Sequence, residues 1–287
     1  MQGAQERGLS MSWMRLRLFL VVAIVMLSGL SMNDVCSWAK DEPQSVQEKK
    51  GEEKTVPQDG EEKVSKTDHT LIIDGKELRY RTVAGDLFIK QENGNAKGKV
   101  FYIAHELEKA EHSGRPVTFV FNGGPGAASV WLHLGGLGPK RISLKPNGEP
   151  LPPPVRYGDN PYTWLTFTDL VFVDPMGTGF SRSTPDDEKT SRAFYGVQQD
   201  IQSVAEFIRL YLTRNSRWIS PKFLVGESYG TTRVSGLTWH LQQRYGIDLN
   251  GVVLISPVLD FDTILFHPSH DLPYVLFLPT YAATVAY

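Results

Sequence analysis

The sequence LVGESYGT at residues 224–231 places one serine, Ser228, between two glycines directly after an apolar run. The run predicts a buried strand, and the apolar spacing that follows it predicts a helix. We therefore expect Ser228 where a strand turns at once into a helix, a corner that holds the side chain above the sheet edge. This G-x-S-x-G pattern is typical of a nucleophilic serine. The alternative is a serine that caps the helix N-terminus.

A second glycine-rich stretch, NGGPG at Asn122–Gly126, follows the apolar run VTFVF. Three glycines and a proline predict a rigid turn whose backbone N–H groups can face a ligand. A loop after an early strand supplies one donor of an oxyanion hole, and the residue after the nucleophile supplies the other. We therefore predict Gly124 and Tyr229 as the two N–H donors. The alternative is an ordinary surface turn.

The order of the predicted elements indicates an α/β fold. Short apolar runs suit strands covered on both faces of a parallel sheet, and the helical patterns between the later runs imply right-handed crossovers. Earlier runs predict an antiparallel meander that opens with a hairpin. The predicted architecture is antiparallel N-terminal strands leading into a parallel sheet with helices on both faces. The predicted antiparallel strands are Leu71–Ile73, Leu78–Thr82, Asp86–Lys90 and Lys99–His105, and the parallel ones are Val117–Phe121, Leu170–Val173, Phe223–Val225 and Val252–Ile255.

The composition favours a globular protein that does not bind nucleic acid. Of the 287 residues, 41% are hydrophobic, which suits one or two domains with a sizeable core. The net charge is −2 and we find no dense basic patch, so we expect no nucleic-acid partner. Cys36 is the single cysteine, so no internal disulfide is possible.

The first 69 residues are expected to precede the folded domain. Two arginines, an apolar run at Leu18–Leu30 and a small-x-small pattern ending at Ala39 predict a signal peptide over residues 1–39. We therefore expect an exported protein, periplasmic or secreted, without stable membrane insertion after cleavage. Residues 40–69 are charged and poor in apolar side chains, which predicts a disordered linker.

Four sequence blocks together resemble the serine carboxypeptidase family, and the similarity runs from about residue 71 to the end of the chain. The resemblance implies an α/β-hydrolase fold and acyl-enzyme chemistry that releases C-terminal residues from peptides with a free C-terminus. It implies no cofactor and no metal. The blocks are NGGPGAAS at residues 122–129, NPYTW at 160–164, LVFVDPMGTGFS at 170–181 and GESYG at 226–230.

The resemblance also implies how the end of a substrate is held. Asn122, the backbone of Gly123 and Glu227 would bind its terminal carboxylate. A carboxyl group binds a carboxylate only when one of the two holds a proton, so such an enzyme should prefer acidic pH. The family commonly has a second glutamate before the Leu-Gly-Pro of this region, whereas Gly136 stands there in this chain.

The partners of the serine are harder to find in the sequence. In hydrolases of this type, an acid and then a histidine follow the nucleophile along the chain. His270 with Asp260 or Asp271 is one candidate pair, and the alternative is loop histidines at the start of a cap insertion from about residue 261. We expect residues 70–287 to be a partial α/β-hydrolase domain, an inactive N-terminal fragment of an active parent.

The sequence is also compatible with two other functions. One is a different α/β hydrolase, such as an esterase, an acyltransferase or an aminopeptidase. The other is a non-catalytic binding protein built on an inactive hydrolase fold.

Overall fold

The computed structural model describes residues 62–90, 94–108 and 114–286. The predicted signal peptide, Cys36 and most of the predicted linker lie outside these residues. Within them, none of the helices combines the length and the apolar character that crossing a membrane requires.

A mixed sheet forms the centre of the described part. Its strands are β1 (Val64–Ile73), β2 (Lys76–Lys90), β3 (Ala96–Leu107), β4 (Val117–Phe121), β7 (Asp169–Val173), β8 (Arg182–Ser183), β9 (Lys222–Glu227) and β10 (Gly251–Ile255). They lie in the order β1-β2-β3-β7-β4-β9-β10, with β8 paired to β3. Pairings among β1, β2, β3 and β7 are antiparallel, whereas β7, β4, β9 and β10 run parallel. The predicted change from an antiparallel to a parallel part is therefore confirmed. A separate antiparallel pair is formed by β5 (Lys140–Ile142) and β6 (Tyr157–Asp159).

The antiparallel part departs from the sequence-based expectation in two places. The predicted strand Asp86–Lys90 is not separate, because β2 continues through Gly85 without a turn. A Cβ at Gly85 would lie 2.9 Å from the Lys63 carbonyl oxygen, so this glycine permits the start of β1 to approach β2 closely. Residues 64–69, assigned to the disordered linker, belong to β1. This strand is largely exposed and polar, which explains why it lacked an apolar signal.

Helices connect the parallel strands as the apolar spacing predicted. Helix α3 (Val197–Arg214) joins β7 to β9, and helix α4 (Tyr229–Tyr245) joins β9 to β10. Gly246, in the left-handed conformation at φ 63°, ends α4. Val117, Phe119 and Phe121 of β4 share an apolar core with these two helices. The helices are α1 (Val130–Leu132), which continues into a π-helical turn over His133–Leu137, α2 (Glu188–Ser191), α3 (Val197–Arg214), α4 (Tyr229–Tyr245) and α5 (Leu272–Ala286).

The second face of the sheet is covered by shorter segments. Val120 of β4 and Phe172 of β7 pack there with Leu137 and Leu165, which belong to the connection between those two strands. The last strand, β10, is less covered than its apolar sequence predicted. Val252 and Val253 are 43% and 38% exposed, so the expectation of burial on both faces is wrong for β10. The side chains of α5 are also largely exposed.

A buried ion network fixes the amino ends of the parallel strands. The Asp169 carboxylate, 1% exposed, accepts from Arg115 Nε and Arg217 Nη1, both at 2.7 Å, and from the Leu107 N–H at 3.0 Å. Arg217 is fully buried and also donates to the carbonyl oxygen of Arg115. One carboxylate thus joins β3, β7, the start of β4 and the end of α3.

Asp169→Asn should destabilise the fold by about 3–5 kcal/mol, because it leaves the buried Arg217 without its counter-charge. The matched control is Asp159→Asn, which breaks the exposed pair with Lys140 and should cost less than about 1 kcal/mol. Urea unfolding of the three proteins measures both values. Equal losses for the two variants would contradict this account.

Candidate active site

Two loops meet at the carboxyl ends of neighbouring strands β4 and β9. The chain leaves β4 towards β7 and covers one face of the sheet, whereas it leaves β9 through α4 on the opposite face. Neighbouring strands whose connections run to opposite faces leave a crevice at their carboxyl ends, where α/β proteins bind ligands. The loop Asn122–Gly126 follows β4, and Ser228 follows β9.

Ser228 has the strained backbone expected of a sharp strand-to-helix turn. Its φ of 56° and ψ of −125° are unusual for a residue with a side chain. Its N–H donates to the carbonyl oxygen of Ile255 at 3.0 Å, which anchors the turn to β10. The side chain makes no capping hydrogen bond to α4, so the alternative interpretation as a helix cap lacks its contact. Nothing structural in the described residues uses this hydroxyl.

The glycines around Ser228 allow three backbone segments to approach closely. A Cβ at Gly226 would lie 2.2 Å from the Gly230 carbonyl oxygen, so the strand and the helix approach this closely only with glycine at position 226. A Cβ at Gly230 would lie 2.9 Å from the carbonyl oxygen of Phe121. A Cβ at Gly123 would lie 2.6 Å from the Tyr229 nitrogen and 2.9 Å from the Ser228 Cβ. The loop after β4 therefore packs directly against the serine turn.

Unpaired N–H groups gather at this contact. Within the described residues, the N–H groups of Gly123, Gly124 and Tyr229 have no backbone or side-chain acceptor. Gly124 has a φ of 101°, a conformation that side chains rarely adopt. Tyr229 follows Ser228 directly in the chain, and Gly124 follows Gly123, the residue that packs against the serine turn. The roles of both N–H groups as oxyanion donors stay predictions.

The residues predicted to bind a carboxylate also lie together. Asn122, 3% exposed, donates from Nδ2 to Oε2 of Glu227 at 3.1 Å, and its Oδ1 accepts from the Leu132 N–H at 3.0 Å. The side-chain amide is therefore fixed in orientation, with its oxygen on α1. At Gly136, a Cβ would meet no atom within 4 Å, so the space for a side chain is open.

The NPYTW block holds the segment around Gly136 in place. Asn160 Nδ2 donates to the carbonyl oxygens of Gly136 at 2.6 Å and Gly138 at 2.8 Å. Thr163 Oγ1 donates to the carbonyl oxygen of Leu137 at 2.9 Å. This block therefore anchors residues 136–138 by hydrogen bonds to carbonyl groups that the end of the π-helical turn leaves unpaired.

The VDPMGTGF segment is tied to the same region through Asp174. Its carboxylate accepts from the Ser129 N–H at 3.0 Å and the Phe180 N–H at 3.3 Å. Burial raises the pKa of Asp174, while the two N–H donors act in the opposite direction. In the sequence this block is recognisable only through the family resemblance, and nothing local indicates that Asp174 binds these two N–H groups.

The candidate base does not contact the serine. His270 lies in an exposed loop, where Nε2 contacts the carbonyl oxygen of Asp262 at 2.6 Å. Asp260 accepts from the Asp262 N–H and so caps a short 3-10 turn. Among the described residues, neither Asp260 nor Asp271 hydrogen-bonds His270, and no histidine hydrogen-bonds Ser228. The structure therefore does not assemble the candidate pair.

A cavity of about 500 Å³ opens beside Tyr229. Its walls are mainly apolar, with a buried ion pair of Asp200 and Arg233 among them. The N-terminus of α3 also borders it through Gly196 and Val197. Such a cavity can accept an apolar side chain of a ligand held near Ser228.

A sequence profile of the family described as serine carboxypeptidase matches residues 75–265. The chain belongs to the serine carboxypeptidase family. The match includes all four blocks and the two loops that meet at Ser228. The fold is accordingly that of an α/β hydrolase.

Individual relatives agree with this assignment. Pheromone-processing carboxypeptidase KEX1 of Yarrowia lipolytica is 32% identical over 148 residues, which are 51% of this chain and 22% of the relative. Serine carboxypeptidase 3 of Oryza sativa subsp. japonica is 32% identical over 133 residues, 46% of this chain and 24% of the relative. The chain thus spans about a quarter of the length of these relatives.

A solved structure shows the same fold. Kex1(Δ)p, a prohormone-processing carboxypeptidase from Saccharomyces cerevisiae, superposes with a TM-score of 0.50 at 20% identity. The superposition covers 70% of this chain and 42% of the yeast protein.

A buried histidine pair joins β3 to the π-helical turn, a contact that carries no signal in the sequence. Nε2 of His105 on β3 lies 2.8 Å from Nε2 of His133 in the π-helical turn, and His133 stacks on Phe172. Nδ1 of His105 contacts Thr82 Oγ1 at 2.9 Å. Burial lowers the pKa of His133 from 6.5 to about 4. Burial, and next the neighbouring His133, lower the pKa of His105 well below its usual value of 6.5.

The pair should make the fold sensitive to acid. The unfolded chain binds protons at these histidines from about pH 6.5, whereas folded His133 binds one only near pH 4, so stability falls as the pH drops through this window. His133→Gln should make the free energy of unfolding depend less steeply on pH between 6.5 and 4. The variant keeps a polar contact to His105 but lacks the second imidazole. His267→Gln, at an exposed histidine, is the control and should leave the slope unchanged. Urea unfolding at several pH values tests this. Buried His105 still contributes a slope of its own in the variant, so it is a slope as steep as that of the wild type that would refute the account.

Proposed function

We propose that this protein is a serine-type carboxypeptidase that releases C-terminal residues from peptides through an acyl-enzyme. The single observation that carries the proposal is the packing of the glycine loop against the strained turn at Ser228. The family assignment supports the reaction type. The names of its relatives as carboxypeptidases support the substrate class, a peptide with a free C-terminus.

In the proposed reaction, Ser228 Oγ attacks the carbonyl carbon of the last peptide bond and gives its proton to a general base. The carbonyl oxygen becomes an oxyanion that accepts from the N–H groups of Gly124 and Tyr229. The C–N bond then breaks, and the base returns the proton to the departing amine. Water hydrolyses the acyl-enzyme in the same manner.

The proposed specificity comes from recognition of the terminal carboxylate. The Gly123 N–H, the Asn122 amide and Glu227 lie within one cluster beside the serine. Glu227 contributes only when it and the substrate carboxylate share a proton, since two unprotonated carboxylates repel each other. The two N–H donors contribute at any pH.

The general base and its acid partner are proposed to belong to the complete gene product, because no histidine among the described residues hydrogen-bonds Ser228. The signal peptide, the export of the protein and a cap insertion from about residue 261 stay predictions that belong to this same proposal. The cavity beside Tyr229 would accept the side chain on the acyl side of the scissile bond. Its apolar walls favour a large apolar or aromatic residue there.

The proposal is tested with the complete gene product and two forms of one peptide, a free acid and its C-terminal amide. We expect kcat/KM for the free acid to exceed that for the amide by about tenfold or more, because only the acid can use the carboxylate contacts. Ser228→Ala should abolish both activities. Equal rates for the two peptides would remove the carboxypeptidase function in favour of another hydrolase. An inactive wild type that still binds the free acid would indicate a binding protein.

Gly123→Ala should lower kcat/KM by about 10²–10³, because its Cβ would displace the loop that carries the oxyanion donor. Gly158→Ala is the matched control, since a Cβ at Gly158 meets no atom within 4 Å. Steady-state kinetics of both variants in the complete protein measures the effect. A Gly123→Ala enzyme with wild-type kinetics would contradict the proposed oxyanion hole.

A further inference from the structure

Arg233 is a buried cation that none of the proposed catalytic steps uses. It lies in α4, in the second turn after Ser228, and is 2% exposed. Its Nη1 donates to the carbonyl oxygen of Asn122 at 2.9 Å. Its Nε donates to both carboxylate oxygens of Asp200, at 2.9 and 3.0 Å.

The contact with Asn122 determines how one peptide group is turned. The Asn122–Gly123 bond is trans, so its carbonyl oxygen and the Gly123 N–H point in opposite directions. Arg233 binds the oxygen from the protein interior. The Gly123 N–H must therefore point away from Arg233, and it has no acceptor among the described residues.

Asp200 and Tyr229 hold the guanidinium group in place. Tyr229 Oη donates to Asp200 Oδ2 at 3.1 Å, and the Arg233 guanidinium lies 5.2 Å from the Tyr229 ring. Burial, together with Asp200, raises the pKa of Tyr229 to about 12, so the phenol remains a donor at neutral pH. Asp200 is in the first turn of α3 and neutralises the charge of Arg233.

This neutralisation excludes a long-range electrostatic role. A guanidinium paired with a carboxylate at 2.9 Å attracts a distant anion only weakly, because the two charges largely cancel. Its influence on a substrate must therefore act through the groups that it contacts. The Asn122 carbonyl is the contact that belongs to the predicted substrate site.

From this geometry we infer that Arg233 is a positioning residue, which turns the Asn122–Gly123 peptide so that the Gly123 N–H faces the terminal carboxylate of the substrate. The inference rests on the proposed carboxypeptidase function. It assigns to Arg233 an effect on substrate binding, since the carboxylate is present in the ground state and in the transition state alike.

The test compares Arg233→Met, Arg233→Lys and the control Arg244→Met in the complete gene product. Arg244 is an exposed arginine at the end of the same helix. Arg233→Met should lower kcat/KM for the free-acid peptide by roughly tenfold or more, mainly through KM, and that for the amide by less than about threefold. Arg233→Lys keeps the charge and one donor, so it should restore part of the preference for the free acid. Arg244→Met should leave both values unchanged.

The outcomes separate this inference from the proposed function. A wild type without preference for the free acid removes the proposed function, and the inference falls with it. A wild-type preference that persists in Arg233→Met overturns the inference alone. Equal losses on both peptides also overturn it, because they indicate a structural role. If Arg233→Met does not fold, the result for Arg233→Lys decides. The inference is overturned if that variant keeps the wild-type preference for the free-acid peptide over the amide and also the wild-type KM for the free acid.

Discussion

The close approach of the glycine loop to the serine turn is the constraint on which the site depends. Gly123 lies so near Tyr229 and Ser228 that no side chain fits at position 123 without moving one of the two segments. The contact exists because β4 and β9 are neighbours and their connections cover opposite faces of the sheet. The strand order thus creates the crevice. Glycine at position 123 allows the loop after β4 to approach the turn at Ser228 so closely that N–H groups without an acceptor among the described residues lie beside the serine.

Much of the fold could be predicted because its signals are local. The apolar runs of β4, β7, β9 and β10 and the helical spacing of α3 and α4 occur within short windows, and so do the glycine motifs. Residues 64–70 of β1 were missed because they are exposed and mostly polar and pair with β2 alone, whereas the end of the strand at Leu71–Ile73 was predicted. Burial at β10 was overestimated, because an apolar strand predicts a covered position without showing which neighbour covers it.

The supporting contacts of the site could not be predicted, since they join residues that are distant in sequence. Arg233 and Asp200 are 33 positions apart, and His105 and His133 are 28 apart on different elements. Each pair depends on helix register and sheet order together. Their residue types carry no signal by themselves: an arginine in a helix after the turn suggests a solvated face, yet this one is buried under the loop.

The glycine at position 136 changes how the carboxylate would be held. With two acids, recognition relies on a shared proton and weakens as the pH rises. In the proposed site Glu227 is the single acid of the pair. A larger share of carboxylate recognition would then fall to the Asn122 amide and the Gly123 N–H, which do not titrate. These donors are useful only when they point at the ligand. The Asn122 amide is fixed by Glu227 and Leu132, and the 122–123 peptide by Arg233. Under the proposed function, rigidly placed neutral donors would therefore replace the second ionisable group that the resemblance to the family leads us to expect.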